Sequence, residues 1–162
     1  MKKQRVSLAT LASIPSGDAA INSNLLKVEE FTSYIDLLQP KLKGLIAMSD
    51  PTITGAGNAW FNLAVRLMGE DYLRELVKQD LVITRDFQLM SEWLARGKYA
   101  VALGVNPGGI RVLIKDGAPI AIMRPFKEGV NIGTGGGIIA PINQNPHPSA
   151  ARVFINWVLS KE

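Results

Sequence analysis

A short apolar run, a glycine-rich turn and the start of an amphipathic helix follow one another between residues 43 and 61. The apolar run, residues 45–48, has the length and composition of a buried strand. The turn contains two threonines and two glycines, and from Trp60 onward apolar residues recur at helical spacing. A strand, a turn and a helix in this order direct backbone N–H groups at one spot, where the helix dipole favours an anion or a polar ligand.

The turn does not match the two best-known glycine-rich phosphate-binding signatures. It contains neither the GxxxxGK[ST] of a P-loop nor the GxGxxG of a dinucleotide site. A well-capped turn between a strand and a helix would show the same residues without binding anything. From these residues alone, the binding interpretation and the purely structural one therefore both stay open.

The composition narrows the class of protein. At 162 residues the chain suits one domain, and 47% hydrophobic with 20% charged residues excludes disorder as its main state. The net charge is +4, but the basic residues are dispersed and form no stripe interleaved with aromatics, so no nucleic-acid partner is predicted. The absence of cysteine excludes disulfides and thiolate metal sites.

Strands that alternate with helices predict an α/β fold with a mainly parallel sheet. The pattern predicts strands at 45–48, 81–83, 99–103, 119–123 and 138–142, and helices at 28–38, 57–69, from 70, from 87, at 106–115 and from 146. The last helix is expected to bury Val153, Phe154 and Trp157, and the three tryptophans are interpreted as core residues. Residues 6–14 follow a basic start, as in a signal peptide, but their serines and threonine favour a strand.

Three stretches point to a family. They are NSNLL at 22–26 with IDLLQPKLKGLIAMSDP at 35–51, EWLARGKYAVALG at 92–104, and NPHPSAARVFINWVLSKE at 145–162. In their order and spacing they resemble the family 1 extracellular solute-binding proteins of bacterial ABC importers, in the ferric-iron-type branch. The resemblance implies a periplasmic-binding-protein-like (type II) lobe, in which helices flank a mainly parallel sheet on both faces.

The resembling proteins have two lobes with a ligand cleft between them, and they are longer than this chain. The resemblance therefore implies a fragment in which residues 1–162 form a single lobe. Hinge or crossover strands are expected at 1–21 and 129–142, the lobe core at 43–125 and a last helix at 146–162. The glycines at 133–137 are expected to permit lobe closure, although a loop without a role would look the same.

In the resembling proteins the turns between strands and helices of this lobe contact the ligand. Carried over, this implies ligand contacts by Thr52, Thr54, Gly55, Ala56, Gly57, Asn58, Arg85 and Asn106. Arg85 also stands at a helix start, where the dipole disfavours a cation, so it is expected to face an anion unless it is a plain surface residue. Asn106 could instead be only the N-cap of its helix.

The predicted function is capture of a small solute in the cleft, with an anionic, a polar organic and an iron-related solute all left open. The expected partners are this solute and an ABC permease in the inner membrane, and the expected location is the periplasm, or the outer surface in a Gram-positive organism. Ferric-iron binders of the family have a tyrosine pair after the strand at 99–103, whereas residues 105–109 contain no tyrosine. Direct coordination of iron by this lobe is therefore not expected.

No enzyme, no cofactor and no metal site are predicted. There is no cysteine and no GxSxG elbow, and the single histidine, His147, lies between prolines at a helix start. Asp50, beside the glycine-rich turn, is the one carboxylate that could serve catalysis. The alternative function is a ligand-sensing regulatory domain of the same fold.

Overall fold

The computed structural model describes residues 9–10, 14–16, 19–129, 131–133, 138–139 and 145–160. The chain divides into two units, which we call the terminal unit (Met1–Ile14 with Ile132–Glu162) and the central unit (Pro15–Asn131). Predictions for residues 1–8, 11–13, 134–137 and 140–144 lie outside the described residues. Within the described ranges, no helix combines the length and hydropathy that a membrane crossing requires.

The described elements alternate between strands and helices. The strands are β1 (Ala9–Thr10), β2 (Ile14–Ser16), β3 (Ala19–Asn22), β4 (Ile46–Ser49), β5 (Val82–Thr84), β6 (Val101–Leu103), β7 (Ile120–Ile122), β8 (Asn131–Gly133) and β9 (Ile138–Ile139). The α-helices are α1 (Ala56–Val77), α2 (Phe87–Ala95), α3 (Pro107–Lys115) and α4 (Pro148–Leu159). β1 with β9 and β2 with β8 form two separate two-stranded sheets.

The main sheet of the central unit has five strands in the order β5-β4-β6-β3-β7. β4 pairs in parallel with both β5 and β6, whereas β3 pairs antiparallel with both β6 and β7. Four strands therefore run in one direction and β3 runs in the other. This confirms the predicted α/β fold with a mainly parallel sheet.

Helices cover both faces of this sheet because successive side chains of a strand point to opposite faces. Ile46 and Met48 of β4 pack into a cluster with Trp60 of α1. Ala47, between them, packs into a second cluster with Met90 of α2 and Ile110 of α3. The predicted layering, with helices on both faces, is confirmed.

The predicted helix over residues 28–38 is wrong as an α-helix. The segment forms short 3-10 helices at Val28–Glu30 and Tyr34–Leu38, and a further one follows at Pro40–Leu42. Ser33 accepts the N–H of Ile35, and the Asp36 carboxylate accepts the N–H groups of Thr32 and Ser33. These local bonds start a new turn in mid-segment and thereby compete with a continuous helix.

Helix α1 continues beyond the predicted end at residue 69. It contains a kink at Gly69, whose φ of 82° and ψ of 174° are not helical. The sequence at 69–71 predicts an interruption followed by a new helix, and the kink confirms it.

The prediction that α4 buries its apolar face is wrong for this chain. Val153, Phe154 and Trp157 are 69%, 55% and 66% exposed. Apolar residues at helical spacing show which face of a helix is favoured to be buried, but they do not show which element packs against that face. Of the other tryptophans, Trp60 is a core residue as predicted, whereas Trp93 is half-buried against Tyr99.

Gly104, which follows β6, fixes how closely α1 approaches the sheet. A Cβ at this position would lie 2.6 Å from Cα of Gly57, and its φ is 69°. We expect Gly104→Ala to lose about 1–3 kcal/mol more unfolding free energy than Gly117→Ala, because overpacking adds to the backbone strain. Gly117 is a matched control, since its φ is 89° and its Cβ would meet no atom within 4 Å. Urea denaturation measures the difference, and equal losses would contradict the close approach.

Candidate functional site

The carboxyl ends of the parallel strands β4, β5 and β6 meet at one edge of the sheet, and each leads into a helix. In open α/β sheets this edge is the usual place of a ligand crevice. A pocket of about 430 Å³ opens there, wholly within the central unit. Its lining comes from residues 49–50, 53–57, 59, 84–85, 87 and 104–107.

Six of the eight predicted contact residues line this pocket. They are Thr54, Gly55, Ala56, Gly57, Arg85 and Asn106. The other two, Thr52 and Asn58, do not line it. Thr52 donates its N–H and its hydroxyl to the Asp50 carboxylate, and Asn58 donates to the carbonyl of Pro51. These two residues stabilise the turn that shapes the pocket.

The first turn of α1 lies directly against the strand ends because Gly57 has no side chain. A Cβ on Gly57 would lie 2.4 Å from the carbonyl oxygen of Ser49. The N-cap residue, Gly55, has no side chain to bond the first amides of the helix. Among the described residues, no acceptor bonds the N–H of Ala56 or Gly57, so this end of the helix presents open donors at the pocket.

Several hydrogen-bond acceptors around the pocket, both backbone carbonyls and side-chain oxygens, are already bonded within the protein. Ser49 donates its hydroxyl to the carbonyl of Gly104 at 2.9 Å. Asn106 is the N-cap of α3 and accepts the N–H of Gly108 at 2.9 Å, which confirms the capping role that the sequence left open. Its carboxamide NH2 group has no partner among the described residues. Donors therefore predominate in what the pocket offers to a ligand.

Arg85 pairs with Asp50 at the rim of the pocket. The Arg85 Nε donates to Asp50 Oδ2 at 2.7 Å, while the Arg85 side chain stays 72% exposed and that of Asp50 only 11%. Arg85 was expected to face an anion, and in this structure the anion next to it is the Asp50 carboxylate. Sequence reasoning missed the pair, although both residues directly follow neighbouring parallel strands, which brings them together.

Hydrogen bonds determine the charge state of Asp50. The pKa of the Asp50 carboxyl is lowered to about 2. The hydrogen bond from the Thr52 hydroxyl has the largest effect, and the bonds from Arg85 and from the Thr52 amide have smaller ones. Asp50 is therefore ionised throughout the physiological range of pH.

The ion pair predicts a pH dependence of stability. The folded pKa of Asp50, about 2, lies below the value of about 3.9 that an unfolded aspartate has, so the pair stabilises the fold above pH 4. This stabilisation is lost as the pH falls from about 4 to about 2. We expect Asp50→Asn to lower the unfolding free energy by the same amount at every pH from 5 to 8, and by less at pH 3. Urea titrations of the wild type and of Asp50→Asn measure the difference in unfolding free energy at each pH. A difference that is as large at pH 3 as at pH 5 to 8 would contradict the ionised pair.

The donor set fits an anion better than a cation. Within the residues that the structure describes, no group of three or more His, Cys, Asp or Glu side chains could bind a metal ion. His147, at the N-cap position of α4, makes no capping bond with its ring. Amides, hydroxyls and a guanidinium remain, and such groups favour the oxygens of a phosphate or a carboxylate.

A pocket of donors at the carboxyl ends of parallel strands is the arrangement of an α/β ligand-binding domain. The chain belongs to the bacterial extracellular solute-binding proteins, whose family profile matches residues 27–162. This family consists of binding proteins and not of enzymes, in agreement with the prediction from the sequence. The branch within the family stays a prediction.

Individual proteins are similar to most of this chain. An uncharacterized protein of Haemophilus influenzae is 33% identical over 133 residues, which are 78% of this chain and 37% of the relative. The structure of the periplasmic binding protein AfuA of Actinobacillus pleuropneumoniae, with fructose-6-phosphate bound, is 25% identical with a TM-score of 0.55. The match covers 97% of this chain and 49% of AfuA.

A further solved structure is described as a two-component system protein in signal transduction. It is 25% identical with a TM-score of 0.64, and the match covers 88% of this chain and 47% of that protein. The chain thus spans less than half the length of each of these three proteins.

Proposed function

We propose that the chain is one lobe of the substrate-binding component of a bacterial ABC importer. In this role it captures a small anionic or polar organic solute in a cleft between two lobes and delivers it to a permease in the inner membrane. The proposed location is the periplasm, or the outer surface of a Gram-positive cell. Family membership supports the role, and the pocket supports the kind of solute.

The open first turn of α1 is the observation on which this proposal rests. Its N–H groups, the exposed guanidinium of Arg85 and the free NH2 of Asn106 border one pocket. Together they supply neutral and charged donors, and the helix dipole adds a positive potential at the same point. An oxyanion is the group that uses all three.

A phosphorylated sugar is the first solute to test. AfuA, which is similar to this chain, has fructose-6-phosphate bound in its structure. The donors of the pocket suit a phosphoryl group. A role in iron transport would need iron ligands from elsewhere in the protein, because residues 105–109 contain no tyrosine.

The anion-binding proposal predicts a dependence on Arg85. We expect fructose 6-phosphate to bind and neutral fructose to bind at least tenfold more weakly, since a hydrogen bond to a charged group contributes about 1.5–3 kcal/mol. Arg85→Gln should weaken fructose 6-phosphate binding by a similar factor. Arg111→Gln is the control, because Arg111 lies on α3 outside the pocket lining. Ligand-observed NMR titration measures all four affinities, and equal affinities of the two sugars would contradict the proposal.

Capture between two lobes also predicts a weak affinity for the 162-residue chain. One lobe contacts only part of the solute and leaves the rest in water. The binding free energy that a second lobe would add by closing over the solute is therefore absent. We expect a Kd in the range from about 0.1 to 10 mM, equivalent to about 3–5 kcal/mol of binding free energy. A micromolar or tighter Kd for this chain would contradict the role of a single lobe.

A ligand-sensing regulatory domain is the second candidate. The similarity to the two-component system protein supports it, since that protein has the same fold. The two functions differ in what is lost when the gene is deleted. Loss of solute uptake favours the importer component, whereas unchanged uptake with loss of a transcriptional response to the solute favours the sensor.

A further inference from the structure

Asp50 is a charged residue that the fold buries beside the pocket. It lies one residue beyond β4, and its backbone N–H donates to the carbonyl of Thr84 at 2.9 Å, which ties the ends of β4 and β5 together. Its side chain is only 11% exposed. Asp50 Oδ1 accepts two bonds from Thr52, and Oδ2 accepts the bond from Arg85. These contacts fix its position, and each of its two carboxylate oxygens accepts at least one hydrogen bond.

The bond to Arg85 uses only one of the five N–H donors of the guanidinium. Nε is occupied by Asp50, so the two terminal NH2 groups stay available on a side chain that is 72% exposed. The bond through Nε restrains the guanidinium and leaves its outer edge uncovered. That outer edge provides two parallel donors, which match the oxygens of a phosphate or a carboxylate.

We propose that Asp50 is a positioning residue for ligand binding: it orients Arg85 so that the terminal NH2 groups of the guanidinium face an oxyanion in the pocket. The inference rests on the proposed function of the site. An arginine on the surface samples many rotamers, and ordering it on binding costs side-chain entropy. A carboxylate that orders the side chain beforehand removes much of that cost.

A simpler role for Asp50 has the opposite consequence. If its charge only neutralised Arg85, then removing that charge would raise the positive potential and strengthen the binding of an anion. If Asp50 positions Arg85, removing the charge weakens binding, because the guanidinium is no longer fixed. Asp50→Asn separates the two, since the new side chain has the same size and can still accept from Thr52 through its oxygen.

The test combines a signal from the free protein with a ligand titration. In the wild-type chain we expect a resolved, slowly exchanging NMR resonance for the Arg85 Nε–H, and its loss in Asp50→Asn. Fructose 6-phosphate should bind Asp50→Asn about tenfold more weakly, which corresponds to the loss of about one hydrogen bond to a charged group. Arg85→Lys provides a second route that leaves Asp50 in place. It keeps the charge but lacks the fork of donors, so a similar loss is expected, whereas Arg111→Lys should change nothing.

The outcomes separate this inference from the proposed function. Unchanged or tighter binding by Asp50→Asn, or an Arg85 Nε–H that exchanges freely in the wild type, overturns the positioning role. A wild-type chain that shows the protected Nε–H but binds neither fructose 6-phosphate nor inorganic phosphate overturns the proposed anion site. If Asp50→Asn does not fold, the affinity of Arg85→Lys for fructose 6-phosphate is the test. An affinity equal to that of the wild type overturns the inference.

Discussion

The close contact between the first turn of α1 and the strand ends is the constraint on which the site depends. Gly57 lies against the backbone of Ser49, and Gly104 lies against Gly57. A side chain at either glycine would push the helix away from the sheet. The unpaired N–H groups of the first turn of α1 would then move away from the pocket. The glycines of the turn thus have two roles: they allow the packing, and they leave the N-cap without a side chain that would occupy the donors.

The charges near this helix end are balanced within the protein. Asp50 accepts from Thr52 and Arg85, so a buried carboxylate and an exposed guanidinium form one unit at the rim of the pocket. Both oxygens of the carboxylate already accept hydrogen bonds from the protein, whereas the guanidinium keeps most of its donors. The site therefore offers mainly hydrogen-bond donors even though it contains a carboxylate, and the proposed binding of an oxyanion rests on these donors.

Much of the fold could be predicted because its signals are local. Apolar runs, glycines and prolines indicated the strands and helices of the α/β unit, and the turn after β4 indicated where a ligand pocket would lie. The segment at 28–38 could not be predicted from hydrophobic spacing, because bonds from Ser33 and Asp36 decide it. The exposure of the apolar face of α4 could not be predicted either, because burial of a helix face depends on elements that are distant in sequence.

The same distinction applies to the candidate site. Thr54, Gly55 and Ala56 were predicted as contact residues because the strand, turn and helix that position them are contiguous. The pairing of Asp50 with Arg85 depends on the register of β4 with β5, which aligns Ser49 with Thr84. No local pattern encodes that register, so the carboxylate next to the turn was considered only as a possible catalytic group.

Mapping of backbone amide chemical shifts with fructose 6-phosphate is the most direct measurement of the central claim, that the first turn of α1 binds an oxyanion. We expect the largest shifts at Ala56 and Gly57, with smaller ones at residues 84–85 and 104–108, on the neighbouring strand ends. Shifts that concentrate elsewhere would contradict it. The groove lined by residues 28–29, 31–32, 124–125 and 127 is the clearest such place, since it also contains the exposed cations Arg124 and Lys127.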